Sequence, residues 1–247
     1  MSSGFDVGAG VASAVAGRAG AWQFIRDFAR LWRSPLADGD GYSEADISAA
    51  QERLGVRFPA ALREAYGLFG RRDDLTSNQD DLFSPGQLCL AGEVLVFRRE
   101  AQGCAEWGVR LDQPGNPDPP VVADGMEGGR GPDGMETGRG PHWTPYLDRF
   151  SLAGLEIVLS ESLFTGVGLS DSKQLDDACE SSLERDFTRL ALPAYPLWSG
   201  PPVIRWFAGR DVIMRADGNA WLWVRARTVS ALDLVRRAMP GDWQPAP

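Results

Sequence analysis

The sequence has one histidine, one lysine and three widely separated cysteines among 247 residues. A Ser-His-Asp or Cys-His catalytic site would have to use His142, and zinc sites built on two or more histidines are excluded. The lysine, Lys173, lies in a polar segment, so a buried Schiff-base lysine is not expected. Cys89, Cys104 and Cys179 lack paired spacing, which favours a reducing compartment and three buried free thiols.

Other motifs that carry chemistry are also missing. The sequence contains no GxxxxGK[ST] phosphate loop and no GxGxxG between a strand and a helix. No run of about 18 apolar residues could span a bilayer, and residues 7–17 lack the preceding basic cluster of a secretory signal. We therefore expect a cytoplasmic protein that is not an enzyme and uses no cofactor or metal. A hydrolase with a carboxylate pair stays open, because 34 acidic residues make chance pairs common.

The formal net charge is −9, and the acidic residues are concentrated between residues 36 and 186. Such a surface repels nucleic acid and steers basic partners, although solubility alone also explains it. Arg205, Trp206, Trp223 and Arg225 in the tail fit strand alternation better than a nucleic-acid surface. We expect a protein partner, and neither nucleic acid nor a membrane.

Periodicity predicts an α+β fold, a mostly antiparallel sheet with helices packed on it. Helices are predicted at residues 21–32, 43–54, 59–69, 146–163 and 231–239. Ser230 and Asp233 are predicted to cap the last of them. Ser43 and Asp46 form a capping-box pattern, and Gly55 suits a left-handed C-cap. Residues 71–81 are predicted as a loop. Short strands are predicted at 94–97, 107–109 and 120–122, with a β-meander at 203–207, 212–215 and 220–226.

These elements suggest a domain organisation. Residues 1–20 are a flexible lead-in, residues 21–163 an α+β domain, and residues 164–186 an acidic linker or an exposed helix. Residues 187–247 form the β-meander and the last helix, either as a separate unit or as part of the same sheet.

A nine-residue repeat interrupts the α+β domain. Residues 124–132 and 133–141 differ only at Gly128 and Thr137, and we interpret them as a loop duplication. Residues 128–136 also fit one calcium-binding nonapeptide, but such sites normally need at least three stacked repeats, so no calcium site is predicted.

The order of several motifs resembles the SUKH superfamily, the Smi/Knr-type proteins. The matching segments are 47–55 (ISAAQERLG), 58–66 (FPAALREAY), 95–97 (LVF), 105–109 (AEWGV), 118–121 (DPPV) and Trp143 ahead of the helix through Phe150. The resemblance covers about half of the chain. Where the family often has Glu-Asn after the second strand, this chain has Glu100-Ala101.

The resemblance implies a SUKH-like α+β fold without enzymatic activity. Bacterial members commonly act as immunity proteins that bind a cognate polymorphic toxin, often a nuclease or a deaminase, and fungal relatives act as regulatory scaffolds. We therefore predict an immunity protein, with a regulatory adaptor as the alternative. The predicted partner-binding residues are Asp73, Asp74, Asp80 and Asp81, with Glu100 and Glu106 as a second patch. The sequence leaves the oligomeric state open.

Overall fold

A computed structural model describes residues 5–113, 115–125, 142–165, 169–197 and 200–245. The helices in this part of the chain are α1 (Val7–Ala16), α2 (Arg18–Trp32), α3 (Glu44–Leu54), α4 (Ala60–Phe69), α5 (Asp73–Thr76), α6 (Phe150–Leu163), α7 (Asp177–Asp186) and α8 (Val229–Ala238). The strands are β1 (Asp81–Leu82), β2 (Cys89–Ala91), β3 (Val94–Arg99), β4 (Ala105–Arg110), β5 (Val121–Gly125), β6 (Thr144–Leu147), β7 (Leu169–Gln174), β8 (Thr188–Arg189), β9 (Tyr195–Leu197), β10 (Gly200–Gly209), β11 (Val212–Asp217), β12 (Trp221–Ala226) and β13 (Gln244–Pro245).

The strands form two antiparallel sheets. Sheet 1 has the order β1-β3-β4-β5-β6, with β2 also paired to β3, and sheet 2 has the order β13-β7-β12-β11-β10-β8, with β9 also paired to β10. Every pairing is antiparallel. The predicted α+β class, with antiparallel strands and packed helices, is confirmed. The meander β10-β11-β12 is confirmed as well, and it belongs to sheet 2.

Helix α6 is the centre of the molecule. All 14 of its residues are buried, and it contacts β6 of sheet 1 and β12 of sheet 2. A helix that is largely apolar on every side is stable only as a core element. The same core contains Phe97 from sheet 1 and Trp206 from sheet 2, so it crosses the predicted boundary at residue 163.

Residues 5–16 differ from the predicted flexible lead-in, because they include helix α1. Asp6 caps this helix by accepting a hydrogen bond from the Ala9 N–H at 2.7 Å, and Val11 and Ala14 are fully buried. Gly20 of α2 lies directly against the Ser13 carbonyl. Small residues at a helix contact allow close packing, which periodicity in large apolar residues does not reveal.

Two predictions about the first half need correction. The helix predicted at 146–163 begins at Phe150, because residues 144–147 pair with β5 as strand β6. Arg149 is extended at the N-cap, and the Phe150 N–H donates to the Pro119 carbonyl at 2.8 Å. The predicted loop 71–81 contains the short helix α5 and the first residue of β1.

Within the segment predicted as a linker or an exposed helix, residues 169–174 form strand β7 and residues 177–186 form helix α7. Strand β7 pairs with both β12 and β13, and α7 follows it, so only the exposed-helix alternative applies to residues 177–186. The buried polar side chains of β7 have partners: Asp171 pairs with Arg236 at 2.7 Å, and Lys173 Nζ donates to the Pro240 carbonyl at 2.8 Å. Lys173 is only 4% exposed, contrary to expectation. Its Nζ donates to backbone carbonyls that follow α8.

The capping signals before and after α3 are confirmed. Ser43 Oγ accepts from the Asp46 N–H at 3.1 Å, the Ser43 N–H donates to Asp46 Oδ2 at 3.0 Å, and Gly55 has a φ of 69°. Helix α8 starts earlier than predicted, with Thr228 as its N-cap.

The cysteines are free thiols, as predicted, but only one is buried. Cys179 is buried, whereas Cys89 and Cys104 are half-buried. Cys89 lies on β2, which pairs with β3 alone, and Cys104 lies in the turn before β4.

Candidate functional site

A buried cluster of charged side chains lies between sheet 1 and α6. Arg98 of β3 donates to Glu161 Oε1 at 2.6 Å, to Asp80 Oδ2 at 3.1 Å and to Glu156 Oε2 at 3.2 Å. The side chains of Arg98, Glu156 and Glu161 are 3%, 2% and 1% exposed, whereas Asp80 is 15% exposed. Charges this deep are tolerated only when they are paired.

Local sequence explains how Arg98 reaches the interior. The register between β3 and β4 shifts between Val96 and Arg98, which is a β-bulge. A bulge re-aims the side chains around it, and here both Phe97 and Arg98 are buried. The guanidinium carbon of Arg98 lies 4.8 Å from the centre of the Trp107 ring on the neighbouring strand.

Glu161 also anchors the loop that precedes β1. Its carboxylate accepts the backbone N–H groups of Asn78 at 2.7 Å, of Gln79 at 2.6 Å and of Asp80 at 3.3 Å. The side-chain amide of Asn78 donates to the backbone carbonyl of Glu161 at 2.9 Å. One buried carboxylate therefore holds three consecutive backbone groups of the loop against α6.

The polar network continues into sheet 2. Tyr195 donates to Glu156 Oε1 at 3.1 Å and accepts from Trp206 Nε1 at 2.8 Å. Ser160 donates to the same Glu156 carboxylate and accepts from Arg215 at 3.0 Å. Glu156 is thus the residue through which sheet 1, α6 and sheet 2 are connected by hydrogen bonds.

A cavity of about 250 Å³ opens beside this network. Its charged lining consists of Asp80, Arg98, Glu100, Glu156, Glu161 and Arg215. Its aromatic lining consists of Trp107, Tyr146, Phe164 and Trp223. The deep wall is buried and the outer residues, such as Glu100 and Trp223, are half-buried. The cavity therefore combines an accessible mouth with a charged and aromatic interior.

Burial and charge shift the pKa values of this site. Burial raises the pKa of Asp80 to about 6; Arg98 opposes the rise, and Glu161 and Glu100 add to it. Burial alone would lower the pKa of Arg98, but its carboxylate neighbours, led by Glu161, outweigh that effect and raise it. Burial also raises the pKa of Tyr146 well above its ordinary value. Arg98 therefore stays charged, while Asp80 has a pKa of about 6.

The structure separates the six predicted partner-binding residues into two groups. Asp80 and Glu100 line the cavity, and Asp81 lies opposite Arg99, which in turn lies opposite Glu106 in the strand register. Glu106 is ion-paired with Arg99 at 2.6 Å. These four acidic residues are neighbours at one end of sheet 1.

Asp73 and Asp74 form the second group, at the start of α5. Asp73 is exposed, and Asp74 pairs with Arg72 at 2.7 Å. Arg72 also binds Asp40 at 3.0 Å, which ties this end of α5 to the loop after α2. Asp73 and Asp74 therefore do not line the cavity. They belong with Asp80 and Asp81 to one acidic segment, residues 73–81, which we call the acidic loop.

The residues that carry the cluster were not predicted. Glu156 and Glu161 had a sequence signal, because they are the two charged residues of an otherwise uncharged and largely apolar helix. Arg98 and Arg215 had no such signal. Each follows a short apolar strand segment, a pattern that is typical of a solvent-facing strand end.

Two other candidates are not part of the cavity. His142 is exposed, and its backbone N–H donates to Asp124 Oδ1 at 3.1 Å. The single calcium-type nonapeptide, residues 128–136, falls outside the described residues. Within the described ranges, no three His, Cys, Asp or Glu side chains come together as metal ligands.

Comparison of the chain with protein-family models, with curated proteins and with solved structures found no match. The resemblance to the SUKH superfamily therefore remains a prediction from the sequence motifs. Among the helices described, none is both long and apolar enough to cross a membrane.

Proposed function

We propose that this chain is a non-catalytic, cytoplasmic binding protein, and that it acts as an immunity protein against a cognate toxin of the nuclease or deaminase type. The observation that carries this proposal is the acidic loop 73–81, which Glu161 anchors to the central helix. The SUKH resemblance supplies the toxin as the partner.

The anchored loop favours tight binding. A surface that is already ordered loses little conformational entropy when a partner docks. Asp73 and Asp81 are exposed on this loop, while the backbone N–H groups of residues 78–80 between them are held by partly buried hydrogen bonds to Glu161. The loop therefore presents negative charge in a fixed arrangement.

Charge complementarity indicates the kind of partner. Proteins that act on nucleic acid carry basic surfaces for the phosphate backbone. Acidic loops attract such surfaces and accelerate association, and they also discourage acidic competitors. An inhibitor of a nuclease or a deaminase that acts on nucleic acid would use this kind of surface.

The test is co-expression with the toxin-like product of a neighbouring gene. We expect the wild-type chain to protect the cells and to bind the toxin. The double variant Asp73→Asn/Asp81→Asn should bind roughly tenfold more weakly, mainly through slower association. The control Asp112→Asn/Asp177→Asn also replaces two exposed aspartates, on the loop after β4 and on α7, and should bind normally.

The outcomes separate the hypotheses. Protection that is equally sensitive to both double variants would contradict the acidic loop as the binding surface. Binding without protection would favour the regulatory adaptor. Neither binding nor protection would refute the immunity function.

A carboxylate-pair hydrolase is the second candidate, because Glu156 and Glu161 are buried beside a cavity. Both carboxylates, however, accept hydrogen bonds from the same Arg98 guanidinium. General acid and base catalysis needs one carboxyl that donates a proton and one that accepts it, with the substrate between them. The guanidinium occupies that position, so the arrangement supports binding better than hydrolysis.

A further inference from the structure

The size of the cavity limits what it can hold. Its volume of about 250 Å³ is just below the roughly 300–1,000 Å³ of pockets that enclose drug-sized ligands. A nucleotide or an oligosaccharide would not fit inside, whereas one amino-acid side chain would.

The charge of the lining indicates the sign of the occupant. Four carboxylates (Asp80, Glu100, Glu156 and Glu161) face two guanidinium groups (Arg98 and Arg215), which leaves two negative charges in excess. Arg215 also binds Asp217 at 2.8 Å, so part of its charge is already neutralised outside the cavity. A cation is the occupant that would balance this lining.

The aromatic walls point to the same chemistry. The face of an aromatic ring attracts a cation, and most strongly where water is excluded. The cavity already places Arg98 over Trp107 at 4.8 Å and Arg215 over Phe164 at 5.6 Å. Trp223, in edge contact with Phe164 at 5.0 Å between ring centres, extends this wall to the half-buried mouth.

Two residues of the lining also carry buried N–H donors that are not satisfied. Arg98 Nε and Trp107 Nε1 have no acceptor in the described part of the chain, although the two residues are 2% and 4% exposed. Buried donors are normally paired, so an unpaired one indicates a missing acceptor. Both donors belong to residues that line the cavity, so the unsatisfied polar groups and the excess carboxylates occur in the same wall.

We propose that this cavity receives one basic side chain of the partner protein, arginine or lysine, with its cationic group directed toward Asp80 and Glu100. The proposal rests on the proposed function and specifies the chemistry by which the partner is recognised. Asp80 lies on the anchored loop and Glu100 in the turn after β3, so the cavity mouth and the acidic loop would contact the partner together.

The first experiment uses butylguanidinium as the probe and butylurea as its neutral analogue, at pH 7.5. The indole N–H signals of Trp107 and Trp223 in a ¹H–¹⁵N spectrum report on the cavity. We expect butylguanidinium to shift these signals in a saturable manner and butylurea to leave them unchanged. Equal shifts from the two compounds, or none from either, would overturn the proposal.

A matched pair of variants locates the binding. Asp80→Asn should weaken the affinity for butylguanidinium by about tenfold, because a hydrogen bond to a charged group is lost. Asp112→Asn makes the same change at an exposed aspartate on the loop after β4, outside the cavity, and should leave the affinity within about twofold. Glu100→Gln, at the mouth, provides a second test should Asp80→Asn unfold. Equal effects of the changes at 80 and 112 would contradict binding in the cavity.

The last step separates the cavity from the immunity function. With a toxin that binds the chain, butylguanidinium should compete with the toxin and butylurea should not. A toxin that binds without such competition refutes the cavity inference and leaves the immunity function intact. Saturable butylguanidinium binding without any toxin partner refutes the immunity function and assigns the cavity to a free organic cation, which also overturns the proposal of a partner side chain.

Discussion

Asp80 is a cavity residue whose ionisation the fold shifts toward neutral pH. Its pKa rises from 3.8 to about 6 because burial disfavours the charged carboxylate. A raised pKa in the native state means that the folded protein binds this proton more tightly than the unfolded chain. Its contribution to stability is therefore complete below about pH 4 and is lost as the pH rises through about 6.

Replacing Asp80 by asparagine should remove this pH dependence. Between pH 4 and pH 7.5, the unfolding free energy of Asp80→Asn should rise by about 2 kcal/mol relative to that of the wild type, which is most of the energy of a pKa shift of about two units. Urea unfolding at several pH values measures the difference, with Asp81→Asn as the control. A difference between wild type and Asp80→Asn that is constant with pH, or has the opposite slope, would show that Arg98 outweighs burial at Asp80.

At the residue scale, sequence could predict that acidic loop residues matter but not where each one lies. Asp80 and Asp81 are adjacent in the chain, yet one lines a cavity and the other is exposed. That difference depends on Arg98, which a β-bulge turns inward from a neighbouring strand. A contact between residues 18 positions apart leaves no trace in local periodicity.

At the scale of elements, the sequence predicted the ends of a helix correctly where the capping residues are neighbours in the chain. The capping box at Ser43 and the C-cap at Gly55 set the ends of α3, because their hydrogen bonds and backbone angles involve only neighbouring residues. Strands β6 and β7 were missed because their residues become strands through pairing with β5 and β12. Helix α1 was missed because its valines, alanines and glycines form no amphipathic pattern, so its packing on α2 cannot be read from periodicity.

The packing of α1 on α2 can be tested with two glycines, Gly17 between the helices and Gly20 in the first turn of α2. A Cβ at Gly20 would collide with the Ser13 backbone carbonyl, whereas a Cβ at Gly17 would meet nothing within 4 Å. Gly20→Ala should lower the unfolding free energy by about 1–3 kcal/mol despite the higher helix propensity of alanine. Gly17→Ala should change it by less than about 0.5 kcal/mol.

Chemical denaturation of the two variants gives this comparison directly. The backbone carbonyl of Ser13 cannot move aside as the end of a long side chain could, so α1 itself must shift to admit the new methyl group. Equal stability of the two variants would mean that α1 does not pack on α2, as in the flexible lead-in that the sequence predicted.

At the scale of the whole molecule, the two sheets should unfold together. Helix α6 contacts both sheets, and the hydrogen bonds from Arg98 through Glu156 and Tyr195 to Trp206 cross from one to the other. Arg98→Met would leave the buried Glu156 and Glu161 without their cation, which should cost about 3–5 kcal/mol. Arg99→Met removes the adjacent arginine, whose side chain is 41% exposed, and should cost less than about 1 kcal/mol.

Native-state hydrogen exchange distinguishes shared from separate stability. For Arg98→Met we expect the slowest-exchanging amides of β3, in sheet 1, and of β11, in sheet 2, to lose the same free energy of protection, because a single cooperative unit opens as a whole. A loss confined to β3 would mean that each sheet is stable on its own and that the predicted boundary after residue 163 divides two independent units. Equal losses would show that the buried charges hold the cavity and both of its walls as one structure, which is the condition for a rigid binding surface.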